Sequence, residues 1–599
     1  MSSKYLNNTE EVKKEYKVME FLKKLYPYYL KYKFQAILVI VSLGLFTFSG
    51  RILPIIFGKA IDDGLQTGNI EKLHYFAITY LIFELSRSLF YFLQFYLSQK
   101  LSNRVLFDIR TKLVKHVQKL PIQYFDKTPV GKILTRMTND VNGLGDFLTQ
   151  GFTGILVNII EIVAIFISLA ILSFKLSLVT VFFTPIVVIV SIFLSKKIRF
   201  FSRAAKGKMS NINTHTSESL NGMKIINLYN HKDRTFTKFS KLTDEYFNLN
   251  YSLIKVFALL WPCLHLFNIA ITATTLAVGA YFFTSFNLTV GTLSAYVLLL
   301  RSFFRPLRGI LERYSQFQNS LASADRLFEL LAVEQEDQTG GKTKPTFTGD
   351  IKFNNLSFKY DKDLPLVLKN INLDIKNKQS LAIVGRTGSG KSTLVSLIQK
   401  FYPVANDSLL VNGLCINKYQ SHALRSKINV LQQNNFIFKG SLEDNVTLLN
   451  PNISHDTVIN AIKTVQCDYL LDRQKASKNP KLFIEENGSN LSVGEKQLIA
   501  FARIIAFNPE ILVLDEATAN IDTNTEKLIQ AATEKIISGR TSIIIAHRLS
   551  TIVNCDKILL LDQGEVLEYG SHKELLALNS HYHKLYNQQI KSSLIDLHV

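Results

Sequence analysis

The first half of this 599-residue chain is a succession of long apolar runs. Nothing restricts a fold more than a segment that must sit in hydrocarbon, where backbone polar groups find partners only in helices or closed barrels. Six runs reach the roughly 20 residues that a ~30 Å hydrocarbon core requires. They are Phe34 to Gly58, Leu73 to Leu97, Phe152 to Phe174, Leu176 to Leu194, Ile254 to Phe283 and Leu288 to Phe304. Their length and continuity predict six membrane-spanning helices.

The connections set the orientation. The first two runs are joined by the acidic link Asp62-Asp63-Gly64, and the third and fourth by little more than Lys175. The other links are long and basic, with Lys112, Lys115, Lys119, Lys127, Lys132 and Arg136 in one and Lys196, Lys197, Arg199, Arg203, Lys206 and Lys208 in the other. The positive-inside rule puts both long links and both termini in the cytoplasm. The net charge of +21 is therefore read as loops facing anionic lipid; no nucleic-acid recognition motif accompanies it, and a nucleic-acid partner is not expected. The long links also carry helical spacing, as in Val105, Ile109, Leu113 and Val117, which predicts that membrane helices continue into the cytoplasm.

Met1 to Tyr16 is polar rather than a cleavable signal, so the first span is expected to serve as its own targeting signal. Phe21 to Tyr32, aromatic and basic, predicts a helix lying on the cytoplasmic membrane face. Charges inside the spans are expected to face a bundle interior or a wet cavity. Glu84 and Arg87, three residues apart, have the alternative of pairing along their own helix. Arg301, Arg305 and Arg308 share one helical side and are candidates to line a cavity, with snorkelling to the interface as the alternative. Glu161 lies in the third span.

After Leu331 the composition turns charged and non-periodic, which reads as a linker, and short apolar strands then alternate with helical stretches. Expected boundaries are 1–33 for the cytoplasmic N-terminus and interfacial helix, 34–332 for the membrane domain, 333–345 for the linker, 346–585 for an α/β domain and 586–599 for a tail. Cys263, Cys415, Cys467 and Cys555 form no C-x-x-C and no pairing with histidine, so a structural metal is not expected and the second half belongs in a reducing compartment.

Inside that α/β half, Gly385-Arg386-Thr387-Gly388-Ser389-Gly390-Lys391-Ser392-Thr393 follows an apolar strand-like run and opens a helix-like one, the context of a phosphate loop. Glycines let backbone N–H groups close around a polyphosphate at a helix N-terminus. Lys391 then reaches the outer phosphates of a nucleotide, and the Ser392 hydroxyl suits Mg2+. Downstream, Ile511 to Leu514 is an apolar strand ending in Asp515 and Glu516; the first suits a hold on Mg2+, the second polarisation of an attacking water.

The links resemble those of the exporter-type membrane domain of ATP-binding cassette proteins, through Tyr124-Phe125-Asp126, Pro129-Val130-Gly131, Arg136 and Asn139-Asp140 in the first and Glu218-Ser219-Leu220-Asn221-Gly222 in the second. The same family's strings follow in order along the second half. They are Tyr360, the phosphate loop, Gln432, Glu486-Asn487-Gly488, Leu491-Ser492-Val493-Gly494-Glu495-Lys496-Gln497, Asp515-Glu516, Ala519-Asn520-Ile521-Asp522 and His547.

The resemblance implies an all-α six-helix transmembrane domain followed by an α/β P-loop NTPase domain, with ATP and Mg2+ as cofactors. It implies that short helices at the tips of the links dock on the nucleotide-binding domains. It places Tyr360 against adenine, Gln432 on Mg2+, and Ser492, Gly494 and Gln497 at the γ-phosphate held by a second subunit, with Asp522 nearby. Glu516 and His547 become the catalytic pair.

With one membrane half and one cassette, the chain is expected to work as a half-transporter. A homodimer is favoured, and a heterodimer is left open by Glu495 and by Ala519-Asn520, which depart from the commoner family residues. It would export a drug, lipid or peptide across a bacterial plasma membrane. An exporter-shaped importer and a non-pumping ATP-gated regulator remain alternative readings.

Overall fold

The structure, a computed structural model, describes residues 18–336, 347–433, 435–477, 479–515, 523–545 and 549–596. Its contacts divide the chain into two units, 1–119 with 128–334, and 120–127 with 335–599.

The first unit is helical. Long helices run over Lys33–Lys59, Ile70–Val117, Phe152–Leu172, Phe174–Asn221, Lys232–Tyr281 and Val290–Ala332. Among the described residues, five helical stretches are long and apolar enough to cross a membrane, and the sixth helix, the one carrying Arg301, Arg305, Arg308 and Arg313, is not among them. At 1.5 Å per residue the 48-residue Ile70–Val117 helix is about 72 Å long, more than twice a hydrocarbon core. The long basic links are thus helical extensions of their spans, as the periodicity predicted. The one-residue turn between the third and fourth helices falls at Ser173, two residues earlier than the expected Lys175. Ser173 is extended and its side chain accepts from the Leu176 amide, so the new helix already starts at Phe174.

Outward-facing side chains such as Phe34, Ile40, Ile82, Leu85 and Phe182 are exposed, which suits a lipid environment and would not suit water. The buried seam holds Ile165, Leu169, Tyr296, Leu299, Leu300 and Phe303, and the Tyr296 and Thr180 hydroxyls share a hydrogen bond of 2.9 Å within it. On the short acidic link, Asp62 accepts from the Gly291 amide at 2.7 Å and from the Thr289 hydroxyl at 2.5 Å, capping the start of the last long helix. The first described helix, Val18–Lys31, turns Phe21 and Leu25 inward, Phe21 meeting Phe147 and Phe328 edge-on, and leaves Tyr26 and Leu30 outward. At the tips of the links lie two six-residue helices, Ile122–Lys127 and Met223–Leu228.

Among the described residues the second unit carries ten strands: β1 Ile351–Phe358, β2 Leu368–Ile375, β3 Ser380–Val384, β4 Leu409–Val411, β5 Leu414–Cys415, β6 Ile428–Leu431, β7 Ile511–Asp515, β8 Thr541–Ile545, β9 Lys557–Asp562 and β10 Glu565–Gly570. One sheet has the order β10-β9-β3-β8-β7-β6, parallel from β9 to β6; a smaller antiparallel sheet runs β2-β1-β4-β5. The parallel strands read as unbroken apolar runs because both of their faces are covered. Ala382, Val384, Leu512, Leu514 and Ile544 enter one core, while Leu381, Ile383, Ile511, Val513, Ile543 and Ile545 enter the other.

Candidate active site

Strand register assembles the site. Ile383 of β3 lies opposite Ile545 of β8, Ile545 opposite Asp515 of β7, and Leu514 opposite Leu431 of β6. The carboxyl ends of four strands therefore meet at one sheet edge. From that edge leave the phosphate loop after β3 and Gln432 after β6, and Asp515 sits there two strands, about 10 Å, from β3. This is where open parallel sheets bind ligands.

The phosphate loop then opens the Lys391–Ile398 helix. Gly385 and Gly390 have φ of 154° and 104°, and a Cβ on Gly385 would lie 2.1 Å from the Leu561 carbonyl oxygen. Only glycine is compatible with that approach. Lys391 is buried, and its Nζ donates to the carbonyls of Gly385 and Arg386 at 2.8 and 2.9 Å, so the ammonium lies across the loop's concavity. Burial pulls its pKa below the usual lysine value, and Asp515 opposes that shift. Ser389 is buried with its hydroxyl unpartnered inside this cradle, an observation that fits a bound polyphosphate. Ser392 is exposed in the first helical turn, whereas the Thr393 hydroxyl is engaged with the Tyr360 hydroxyl at 2.9 Å. Tyr360 itself is 37% exposed, its ring edge-on to Phe358 and Tyr402.

Ser492 caps the Val493–Phe507 helix in a reciprocal arrangement. Its hydroxyl accepts from the Glu495 amide at 3.1 Å, and Glu495 accepts from the Ser492 amide at 2.7 Å. Glu495 also receives Arg473 at 2.5 Å. The departure of this residue from the commoner family glutamine thus has a structural use, and Arg473 is a participant the sequence offered no signal for. Because the Ser492 oxygen only accepts in the cap, its proton stays available to a phosphate outside. Gly494 is buried under the turn, and Gln497, half-buried, lines a small space with Asp515, Leu431 and Phe501.

This cap carries its own prediction. Glu495→Ala is expected to speed hydrogen exchange of the first-turn amides about fivefold, the equivalent of the ~1 kcal/mol that a lost cap costs. Glu495→Gln, which still accepts, should stay near wild type. Equal exchange in all three proteins would show that the arrangement does not hold the helix end.

Glu516, Asp522 and His547 lie outside the described residues, as does the rest of Ala519-Asn520-Ile521-Asp522. Among the described residues no cluster of three His, Cys, Asp or Glu side chains suits a metal ion. The acceptor set at this edge is instead Ser392, Gln432 and Asp515, the kind that Mg2+ completes with phosphate oxygens and water.

The helical unit holds a second feature, a cavity of about 760 Å³ lined by charges of both signs. Glu84, Arg87, Glu161, Arg305, Arg308, Glu312 and Arg313 all face it, with Asn158, whose amide nitrogen is buried and unpartnered. Arg87 reaches Glu84 at 3.4 Å, so the pairing along one helix and the cavity location both hold. Arg308 bonds Glu312 at 3.2 Å and lies 3.4 Å over the Trp261 ring. Arg301 shares their side of the helix but does not line the cavity, being one turn, about 6 Å, beyond Arg305.

Comparison with known proteins follows the same division. The family model described as "ABC transporter transmembrane region" matches residues 36–307, and that described as "ABC transporter" matches residues 368–519. A Bacillus subtilis protein named "Probable multidrug resistance ABC transporter ATP-binding/permease protein YheH" is 34% identical over 501 residues, covering 83% of this chain and 74% of the relative. An "ATP-dependent lipid A-core flippase" of Haemophilus ducreyi is 29% identical over 96% of this chain and 98% of its own length. In fold, a bacterial Atm1-family ABC exporter solved with ATP bound superposes with a TM-score of 0.77, at 24% identity, over 93% of this chain and 98% of that one.

Proposed function

Given that the chain belongs to the ATP-binding cassette transporter family, as an exporter-type half-transporter that couples ATP hydrolysis to export, we propose that its own residues divide the work as follows. The phosphate loop from Gly385 to Thr393 cradles the triphosphate, with Lys391 turning from the loop carbonyls to the phosphate oxygens. Tyr360 takes the adenine ring. Ser392, Gln432 and Asp515 hold Mg2+, which when bound neutralises charge on the phosphates. Glu516 orients the attacking water, and His547 faces the γ-phosphate. The meeting of the strand ends from β3, β8, β7 and β6 at one sheet edge is the observation that carries this reading.

Ser492, Gly494 and Gln497 serve the nucleotide of a second subunit, with Asp522 beside that interface. The half-transporter fold implies a dimer in a membrane; we favour two copies of this chain, in a bacterial plasma membrane, with both termini cytoplasmic. The tip of the second link supports the need for another chain, since Leu220, Ile225, Leu228 and Tyr229 are all more than 60% exposed there.

For the substrate we favour an amphipathic anion, since four arginines against three glutamates line the cavity and its charge is net positive. The last long helix then crosses the bilayer with its arginines in water. The test is ATPase stimulation in lipid nanodiscs by anionic, neutral and cationic amphiphiles of equal chain length. Anionic compounds should stimulate best, and Arg305→Ala should raise the half-maximal concentration about tenfold or more, the range for losing a hydrogen bond to a charged group. Equal stimulation by all three classes, unchanged in Arg305→Ala, would overturn the anionic assignment.

A further inference from the structure

The six-residue Ile122–Lys127 helix belongs by its contacts to the nucleotide-binding unit. Lys127 bonds Asp361 at 2.8 Å, Gln123 reaches the Phe401 carbonyl at 3.5 Å, and the Tyr402 hydroxyl donates to Asp126. Of these partners, Tyr402 is the one that sets a ring against the candidate base-stacking residue. Its ring stands edge-on to Tyr360, centroids 4.9 Å apart at 85°. Tyr360 is held at its far end by Thr393, in the helix that the phosphate loop opens. A continuous line of side chains therefore joins the phosphate-loop helix to Asp126: Thr393, Tyr360, Tyr402, Asp126. Burial, and then Asp126, push the Tyr402 phenol well above the usual tyrosine range, so it remains a donor throughout the physiological pH range.

We propose that Tyr402 is a positioning residue that conveys the seating of a nucleotide base on Tyr360 to the Ile122–Lys127 helix. The inference rests on reading Tyr360 as the residue that stacks the base. A base laid on the exposed face of Tyr360 fixes the plane of that ring. An edge-to-face pair has a preferred geometry, so the Tyr402 ring is fixed with it. Its single O–H then has one direction in which to point, and the acceptor in that direction is Asp126. The Ile122–Lys127 helix is thereby firmed by the base, separately from the phosphates. Lys127 and Gln123 make no such ring contact: Asp361, though next to Tyr360 in the chain, sets no ring against it, and the partner of Gln123 is a backbone carbonyl.

The test compares ADP with pyrophosphate on the full-length protein in nanodiscs, so that neither ligand carries a γ-phosphate. Hydrogen exchange of the amides in residues 120–127 is the readout. ADP should slow exchange in the wild type about fivefold or more beyond pyrophosphate, the lower range of coupling between sites. Tyr402→Phe keeps the ring and loses the donor, and Asp126→Ala removes the acceptor. Either should reduce the ADP effect to less than twofold, and the double variant should add nothing further. Tyr360→Leu serves as the separate check on the base site. If it leaves ADP binding unweakened relative to pyrophosphate, the stacking assignment has failed. If it weakens ADP while Tyr402→Phe retains the full ADP protection, the stacking assignment stands and the role of Tyr402 is overturned.

Discussion

Glu516→Gln is expected to leave ATP bound and to lower turnover by about two orders of magnitude or more, the loss typical of a removed general base. Asp515 ends β7 at the sheet edge from which the phosphate loop opens. Glutamine preserves the size and one hydrogen bond but neither orients water through a charge nor takes its proton. Binding should persist because Lys391 and the loop backbone are untouched. Nucleotide binding and phosphate release from the purified dimer check both halves of this expectation. Near-normal phosphate release would remove Glu516 from its role.

The second large effect concerns the composite site. Lys391→Ala should weaken ATP about tenfold to a hundredfold, since hydrogen bonds to charged groups contribute ~1.5–3 kcal/mol. Ser492→Ala should abolish the contribution of the helix tip to the partner's nucleotide. Mixing the two variant subunits yields some dimers with one intact site and one doubly damaged site, and these should recover part of the activity that neither variant has alone. The cap at Ser492 calls for a control, because alanine there also loosens the helix by ~1 kcal/mol. Ser492→Asn keeps the cap while replacing the hydroxyl, and should behave in the mixture as alanine does. Recovery in the mixture requires two copies of this chain per dimer. A wild-type chain that neither dimerises nor hydrolyses ATP by itself would instead point to a different second half-transporter.

Much of this architecture was legible because it is written in local patterns. The phosphate loop is nine consecutive residues whose glycines have one physical use, and the structure shows Gly385 with no room for a side chain. The unbroken apolar runs of β3, β7 and β8 announced strands buried on both faces, and the basic links announced helices too long for the bilayer. Side-chain partnerships across the chain were not legible. Nothing near Asp126 signals Tyr402, 276 positions away, and Glu495 looked only like a departure from a family pattern until Arg473 and the Ser492 amide were found beside it.

The cavity divides along the same line. Composition and spacing marked Arg305 and Arg308 as residues that hydrocarbon would reject, and Glu84, Arg87 and Glu161 likewise. Helical spacing also made Arg301 equivalent to them, since it reports the side of a helix and is blind to height along it. Only the packing of several helices decided that the cavity ends short of Arg301 and takes in Glu312 and Arg313. Sequence alone determined which segments must be helices in lipid, which strands must be covered on both faces and which loop must hold phosphate, because each follows from the free energy of transferring or binding a contiguous stretch. Tertiary structure decided which distant side chains meet, because a contact such as Tyr402 with Asp126 depends on where two elements far apart in the chain are placed and leaves no periodicity in either.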